Sequence, residues 1–344
     1  MVVEMAETDN FQATRASSTT AYNYQRLDRD TNQIRLIKIG PLSEKENLHL
    51  DVETFELSAA PPFSALSYTW GNSPADYRIY VNDELFMVRE NLFRFLNAFR
   101  PLSSEQTYIW IEQICIDQSN VLERNHQVHL MGRIYSMSEC VIVWLGDESK
   151  TRLWKNYVDA ARSFNDKPNT HGLAVFLGDE YFQRLWIVQE ILLAQAVKVL
   201  ILDIWISWDR ILATTTNNRV ALEQRRVAPG TLSLLQMSES PSSRPRKLES
   251  YLAEFAVNGC ADLRDKIYGF MGLVDEQHRL DIDYSKTVYE VYQDVFTTCN
   301  SSLAQKFGPY HYPSRPYECD IVLEHLRRVL GKQYAKSRAR TQLF

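Results

Sequence analysis

The first 200 residues alternate between short apolar runs and stretches in which apolar residues recur every three or four positions. Apolar runs bounded by Gly, Pro, Asn or Asp are typical of strands. The run from Arg78 to Val88 is predicted to be a hairpin that turns at Asn82-Asp83, because this pair favours turn conformations. The other predicted strands are 35–39, 49–57, 63–70, 108–116, 140–146 and 197–203.

The helical period predicts helices between these strands. The first covers 90–100 and is ended by Pro101, the second is opened by a capping box of Asn120 and Glu123, and the third, 181–195, is capped by Asp179. The apolar faces of these helices are predicted to carry Leu92, Phe93, Leu96 and Phe99, then Val128, Met131, Ile134 and Tyr135, then Phe182, Leu185, Trp186, Leu192 and Leu193.

Strands and helices that alternate with short connections imply right-handed crossovers and a parallel sheet, so the predicted fold class is α/β with an added β-hairpin. In open sheets of this kind the working residues gather at the carboxyl ends of the strands. The candidate positions are therefore Trp70-Gly71, Asp117 to Asn125, and Gly146-Asp147.

The pattern changes along the chain and predicts four parts. Residues 1–33 form a flexible arm, 34–205 the α/β core, 206–300 a mainly helical part and 301–344 a divergent tail. The segment 238–247 is rich in Ser, Pro and Arg and is predicted to be a linker or exposed loop. Amphipathic helices are predicted over 248–257 and 263–273.

Composition narrows the function. A net charge of −5 supplies no field that would draw the chain onto nucleic acid. Five widely spaced cysteines without a C-x-x-C pair do not indicate a disulfide framework. Because the start lacks a secretory signal and the most apolar stretch, 197–208, is too short to cross a bilayer, we expect a cytoplasmic protein without a membrane span.

The common nucleotide, zinc-protease and hydrolase motifs are absent from the sequence. His126 and His129 have a spacing that would allow them to share a metal with Cys115 or Cys140, but polar residues three apart on an amphipathic helix usually form its wet face. Cys115 lies in an apolar run, which is typical of a structural thiol and not of a nucleophile. We therefore predict no metal site.

Several blocks of the chain resemble the heterokaryon-incompatibility (HET) domain of filamentous fungi. They are ALSYTWG (65–71), WIEQICIDQSNVLERNHQVHLMGRIY (110–135), VIVWLGD (141–147), RLWIVQEILLA (184–194), DLRDKIYGFMGL (262–273) and DYSKTVYEVY (283–292). The resemblance implies a role in growth arrest or cell death on non-self contact. It also implies protein partners, either a heterotypic incompatibility partner or further copies of the chain.

The sequence departs from the HET pattern at two places. Where the family shows W-I-D-A-[IL]-C-I-N-Q, this chain has Glu112, Gln113 and Asp117. The carboxylate at 112 is longer by one methylene, a shift large enough to change a catalytic geometry. The region after Tyr292 is short beside the long, variable C-terminal regions of that family.

The HET domain has itself been likened to the flavodoxin-like TIR fold. ALSYTWG resembles the first-strand TIR box, and WIVQEI (186–191) has the W-x-x-x-E-[IL] spacing of the box that holds the TIR catalytic glutamate. The resemblance implies Glu190 as the residue that supports cleavage of the nicotinamide N-glycosidic bond, which makes NAD a candidate substrate. Since nicotinamide leaves without a general acid, one carboxylate is sufficient to stabilise the oxocarbenium-like sugar.

Each candidate site residue also has a structural interpretation, and residues of these types more often serve in that way. Glu190 would flank the buried Trp186 and bond to a backbone N–H or to Arg184. Trp70 would stack a nicotinamide or adenine ring, or else fill the core. Arg124 would meet a phosphate at a helix N-terminus, or else form a surface ion pair. Trp186 is the third candidate for contact with NAD. Asp262, Arg264 and Asp265 are predicted to form ion pairs at a helix end that set how the helical part docks.

Overall fold

The computed structural model describes residues 20–39, 48–100, 107–146, 155, 158–159, 170–244, 247–255, 257–291, 293–295 and 297–298. The predictions for most of the arm, for Pro101, for Asp147 and for the tail fall outside these ranges. Every helix within the described ranges is too short or too polar to cross a membrane.

The strands of the described residues form one mixed sheet in the order β5-β4-β2-β1-β6-β3-β7-β8-β9. Their bounds are β1 Gln33–Ile39, β2 His49–Glu56, β3 Phe63–Tyr68, β4 Tyr77–Val81, β5 Glu84–Val88, β6 Tyr108–Trp110, β7 Cys140–Trp144, β8 Val197–Ile201 and β9 Ile204–Ser207. The α/β class is therefore confirmed.

Four neighbouring strands, β6, β3, β7 and β8, run parallel and make the centre of the sheet. Numbered along the chain, they stand in the order 2-1-3-4, which is the flavodoxin-like order of doubly wound folds. Antiparallel pairs extend both sides, with β1 and β2 beside β6 and β9 beside β8. The topology changes direction between β3 and β7, and this switch point is where such folds bind ligands.

The predicted hairpin is present as β4 and β5. Asn82 and Asp83 have φ angles of 50° and 66°, the left-handed conformation that a tight hairpin turn with the right twist requires. A second hairpin, β8–β9, turns at Leu202 with φ of 56°. The sequence did not predict it, because leucine is not a turn residue.

The helices lie at α1 Glu90–Phe99, α2 Glu112–Cys115, α3 Val121–Met137, α4 Thr170–Leu177, α5 Ile187–Leu193, α6 Trp208–Thr216, α7 Arg219–Gln224, α8 Pro229–Glu239, α9 Leu248–Phe255 and α10 Asp265–Tyr268. On α1, Phe95 is fully buried and Phe93 is only partly buried, so the predicted face is rotated by part of a turn.

The prediction of one strand over 108–116 is wrong. β6 ends at Trp110, and Ile114 and Cys115 donate their N–H groups to the carbonyl of Ile111 to form the single turn of α2. Ile114 and Cys115 are fully buried in this turn, and an apolar run of this length fits a buried helix as well as a strand.

Two predicted helices are shorter than expected. The helix over 181–195 is interrupted because Gly259 pairs with the extended chain at 183–185, where its N–H bonds to the Gln183 carbonyl at 2.6 Å and its carbonyl to the Leu185 N–H at 2.9 Å. The helix over 263–273 ends at Tyr268. Gly272 then donates its N–H to the side chain of Gln189 at 2.9 Å.

A backbone contact fastens the helical part to the core. The Cα of Gly272 lies so close to Gly132 on α3 that a Cβ built on Gly272 would stand 2.9 Å from the Gly132 Cα. The same Cβ would collide with the amide oxygen of Gln189 on α5. Only glycine at both positions permits this approach, so α3, α5 and the segment after α10 are locked together.

Candidate functional site

A cleft of about 230 Å³ lies at the switch point, between the carboxyl ends of β3 and β7. Both chains leave the sheet through a glycine, Gly71 and Gly146, each with φ of 75°. This is the edge where the sequence analysis placed two of its three candidate positions. The lining residues are Thr69, Gly71, Asn72, Ser73, Glu90, Asn91, Arg94, Trp144, Leu145, Asp179, Glu180 and Tyr181.

Asn91 on α1 holds the two strand ends together. Its amide nitrogen donates to the Thr69 carbonyl at 2.5 Å, and its amide oxygen accepts from the Trp144 indole N–H at 2.9 Å. A Cβ on Gly146 would stand 3.0 Å from that oxygen, so glycine is needed where β7 turns away. The cleft is therefore shaped by the ends of the strands themselves and by one asparagine.

The cleft is acidic. Glu90, Asp179 and Glu180 contribute three carboxylates, and Arg94 contributes one guanidinium, which pairs with Glu90 at 2.7 Å. Asp179 also accepts the backbone N–H of Tyr181 at 2.9 Å, as predicted for a capping residue. The remaining negative charge favours a cationic or hydroxyl-rich ligand over an anionic one.

Glu190 on α5 lies behind the cleft wall. Its side chain is 2% exposed and accepts a hydrogen bond from the Ser67 hydroxyl, which in turn contacts the hydroxyl of Tyr181, a lining residue, at 2.6 Å. Burial raises the pKa of Glu190, against the lowering effects of Arg184 and of hydrogen bonds from Ser67 and Tyr135. Two hydroxyl groups therefore separate this carboxyl from the cleft.

Glu112 is the neighbouring carboxyl that solvent reaches. It is the first residue of α2, directly after β6, and it is partly exposed. Burial and the charge of Glu190 raise the pKa of Glu112 to about 7, while Arg184 and a hydrogen bond from Trp70 act in the opposite direction. Trp70 is thus a hydrogen-bond donor to Glu112 as well as a residue packed against the core.

Trp186 contacts a third carboxyl. Its indole N–H donates to Asp265 on α10 at 3.2 Å, and the Tyr284 hydroxyl donates to the same carboxylate at 2.6 Å. Asp265 is 7% exposed, and burial raises its pKa to about 6 despite these two donors. The charge of Asp265 contributes to the raised pKa of Glu112, so the core and the helical part share one electrostatic network.

Arg124 lies over the ring of Tyr284, with 4.5 Å between its guanidinium carbon and the ring centre. Arg264 lies over the same ring at 5.2 Å and forms a close ion pair with Asp262 at 2.5 Å. The predicted ion pair is thus present for Asp262 and Arg264, whereas Asp265 binds Trp186 and Tyr284 instead. The structure therefore places Arg124 against an aromatic ring of the helical part.

The four candidates, Glu190, Trp70, Arg124 and Trp186, all belong to this network. The sequence analysis missed Ser67, Tyr181 and Tyr284 as members and considered Arg184 only as a bonding partner of Glu190. Arg184 instead acts on Glu112 and Glu190 through its charge. All of these except Tyr181 lie in the blocks that carry the family resemblance, which was the available signal.

The alternatives that were set aside have structural explanations. Both ring nitrogens of His126 have neighbours, the Thr31 carbonyl at 2.9 Å and the Gln127 amide at 3.2 Å. Burial raises the pKa of the Cys115 thiol to about 12, which suppresses the thiolate. Within the described ranges, no group of three or more His, Cys, Asp or Glu side chains is arranged to hold a metal ion.

Comparison with known proteins gives the family. Residues 63–190 match the family model described as "Heterokaryon incompatibility protein (HET)". The chain is also 24% identical over 385 aligned residues to "Heterokaryon incompatibility protein 6, OR allele" of Neurospora crassa, an alignment that covers 88% of this chain and 56% of that protein. The chain thus spans little more than half the length of this relative.

No solved structure matches the chain. The family match begins at the first residue of β3 and ends at Glu190, so it contains Trp70, Glu112, Arg124 and Trp186. Asp265 and Tyr284 lie beyond it but contact its side chains directly. The match over residues 63–190 assigns this chain to the heterokaryon-incompatibility (HET) family.

Proposed function

We propose that this chain is a heterokaryon-incompatibility signalling protein of the cytoplasm, which triggers growth arrest or cell death when it engages a partner. The family match and the similarity to a Neurospora incompatibility protein support this function. The partner is either a second incompatibility protein or another copy of the chain.

The observation that carries the proposal is the convergence of separate blocks on one network. Ser67, Glu112, Glu190 and Asp265 come from four distant blocks and influence one another through hydrogen bonds and charge. A network that spans the core and the helical part can transmit a change at one part to the other.

Inducible expression in a filamentous fungus tests the proposal. We expect wild-type protein to stop colony growth and to admit a vital dye, and Asp265→Asn to weaken both effects, because the variant alters the contact of the helical part with Trp186. Glu139→Gln is the matched control, since Glu139 is exposed before β7 at the opposite edge of the sheet. Unchanged growth on expression of the wild type, alone and with candidate partners, would contradict the function.

A second candidate function is hydrolysis of NAD with Glu190 as the catalytic carboxylate. It is supported by the position of an acidic cleft at the switch point, one Tyr181–Ser67 hydroxyl pair away from Glu190. Such a cleft suits the cationic nicotinamide-ribose end of NAD better than the anionic pyrophosphate.

Nicotinamide release from NAD by purified protein, with and without a crowding agent that promotes assembly, tests this second function. We expect release by the wild type and none by Glu190→Gln. The absence of release under every assembly condition would exclude NAD hydrolysis, and equal release by Glu190→Gln would exclude Glu190 as the catalytic residue.

A further inference from the structure

We propose that Arg184, Glu112 and Trp70 form a binding subsite for a neutral amide group carried on a planar ring. All three side chains are partly exposed, in contrast to Glu190. The proposal goes beyond incompatibility signalling and does not require that NAD be cleaved. It concerns the solvent-reachable side of the network.

Arg184 lacks an acceptor. Its Nη1 atom is fully buried and has no hydrogen-bond partner among the described residues. The charge of Arg184 lowers the pKa of both Glu112 and Glu190, yet neither carboxylate forms an ion pair with it. A buried N–H without an acceptor destabilises a protein by about 1–3 kcal/mol, so native structures usually supply one.

The acceptor that suits this position is uncharged. Three carboxyls, Glu112, Glu190 and Asp265, already surround the guanidinium, and the pKa of each is raised. A ligand carboxylate or phosphate would add a fourth negative charge to this crowded site. An amide carbonyl accepts from Arg184 without that repulsion.

Glu112 and Trp70 supply the rest of the recognition. An amide that donates its N–H to the Glu112 carboxylate and accepts from Arg184 uses both of its hydrogen-bonding edges. The hydrogen bond from Trp70 to Glu112 fixes the carboxylate beside the indole, whose ring offers a surface for stacking. A primary amide on an aromatic ring meets all three requirements.

Binding to the full chain tests the subsite, with nicotinamide and benzamide as probes and nicotinate and benzoate as matched acids. Titration calorimetry or saturation-transfer NMR at pH 8 should show that both amides bind about tenfold or more tightly than the acids. Arg184→Gln and Glu112→Gln should each weaken amide binding by about tenfold or more, the usual loss for a hydrogen bond to a charged group. Glu139→Gln and Arg133→Gln, which change exposed groups elsewhere, should leave it unchanged.

Three results would overturn the subsite: no amide binding to the wild type, acids that bind as tightly as amides, or amide binding that survives both substitutions. The first result would mean that only water serves Arg184. If Arg184→Gln does not fold by circular dichroism, Arg184→Lys replaces it, because lysine keeps the charge but has no second donor branch. Growth arrest is measured separately, so failure of the subsite and failure of the signalling function are distinguishable.

Discussion

The chain contains two arginines whose surroundings differ sharply. Arg35 on β1 is 1% exposed and bonds to both oxygens of Glu123 at 2.6 and 3.1 Å, to the Cys115 carbonyl at 2.9 Å and to the Gln25 carbonyl at 2.5 Å. Arg184 acts on two carboxylates through its charge but has a buried Nη1 without a partner among the described residues.

The difference separates a structural site from a candidate functional one. Every oxygen of Glu123 is used, since it also accepts the backbone N–H of Asp117 at 2.8 Å. In the Arg184 network, three carboxyls have raised pKa values and one guanidinium is incompletely bonded. A fully satisfied pair fixes the fold, whereas a strained cluster of like charges is typical of sites that bind or react.

The largest effect is expected from Glu123→Ala. This substitution leaves the Arg35 charge buried without a counterion and should lower the free energy of unfolding by about 3–5 kcal/mol, measured by urea denaturation. The double variant Arg35→Met, Glu123→Leu should recover much of the loss, because no charge is left unpaired. A loss below about 1 kcal/mol for Glu123→Ala would show that the two arginine sites do not differ as described.

A smaller loss is expected from Gly272→Ala, which disturbs the mounting of the Arg184 network. The added methyl collides with Gln189 and stands 2.9 Å from the Gly132 backbone, so we expect about 1–3 kcal/mol of destabilisation in the same urea assay. Gly259→Ala is the control, because its Cβ would have its nearest neighbour at 3.7 Å and should change stability by less than about 0.5 kcal/mol. Equal losses for the two variants would contradict the backbone lock.

The next effect is a pH dependence from Glu112. Its pKa rises from 4.5 to about 7 on folding, so between these values the folded state holds a proton that the unfolded state has lost. Stability from this group is present at low pH and falls as the pH rises, by at most about 1.4 kcal/mol per unit and by less where solvent screens the carboxyl.

Thermal unfolding of the wild type and Glu112→Gln from pH 4.5 to 8 measures this dependence. The variant has no such proton to lose, so its stability relative to the wild type should increase with pH across that window. Parallel profiles for the two proteins would show that Glu112 has an ordinary pKa and would remove it from the strained network.

The smallest effect is expected at an exposed ion pair, which gives the baseline for both arginine sites. Arg219 and Glu223 stand four residues apart on α7, with 43% and 52% of their side chains exposed. Glu223→Gln should change the free energy of unfolding by less than about 0.5 kcal/mol. A loss comparable to that of Glu123→Ala would mean that burial does not account for the strength of the Arg35 pair.

Local chemistry was predictable from the sequence. The turn at Asn82-Asp83 and the Asn120 cap, which accepts the Glu123 N–H at 3.2 Å, follow from residue preferences within a few positions. The other half of the capping box does not form as expected, because the Glu123 carboxylate bonds to Arg35, which lies 88 residues away. No local pattern records a competitor at that distance.

The candidate site was predictable as a place more than as a set of contacts. The rule about strand ends located the edge near Trp70, and the family blocks supplied Glu190 and Trp186. The sequence did not show that Ser67 would cap Glu190, or that Gly259 would interrupt the helix before it, because both depend on how separate elements pack. The catalytic role of Glu190, its contact residues and the four-part division of the chain remain predictions.

The sheet order has a consequence for anyone who isolates the family-defining stretch. β1 pairs with β6, and β8 pairs with β7, yet both β1 and β8 lie outside residues 63–190. A fragment cut to those limits would bare two apolar strand edges at once, an arrangement that promotes aggregation. The stretch that is inherited as a unit is therefore not one that folds as a unit.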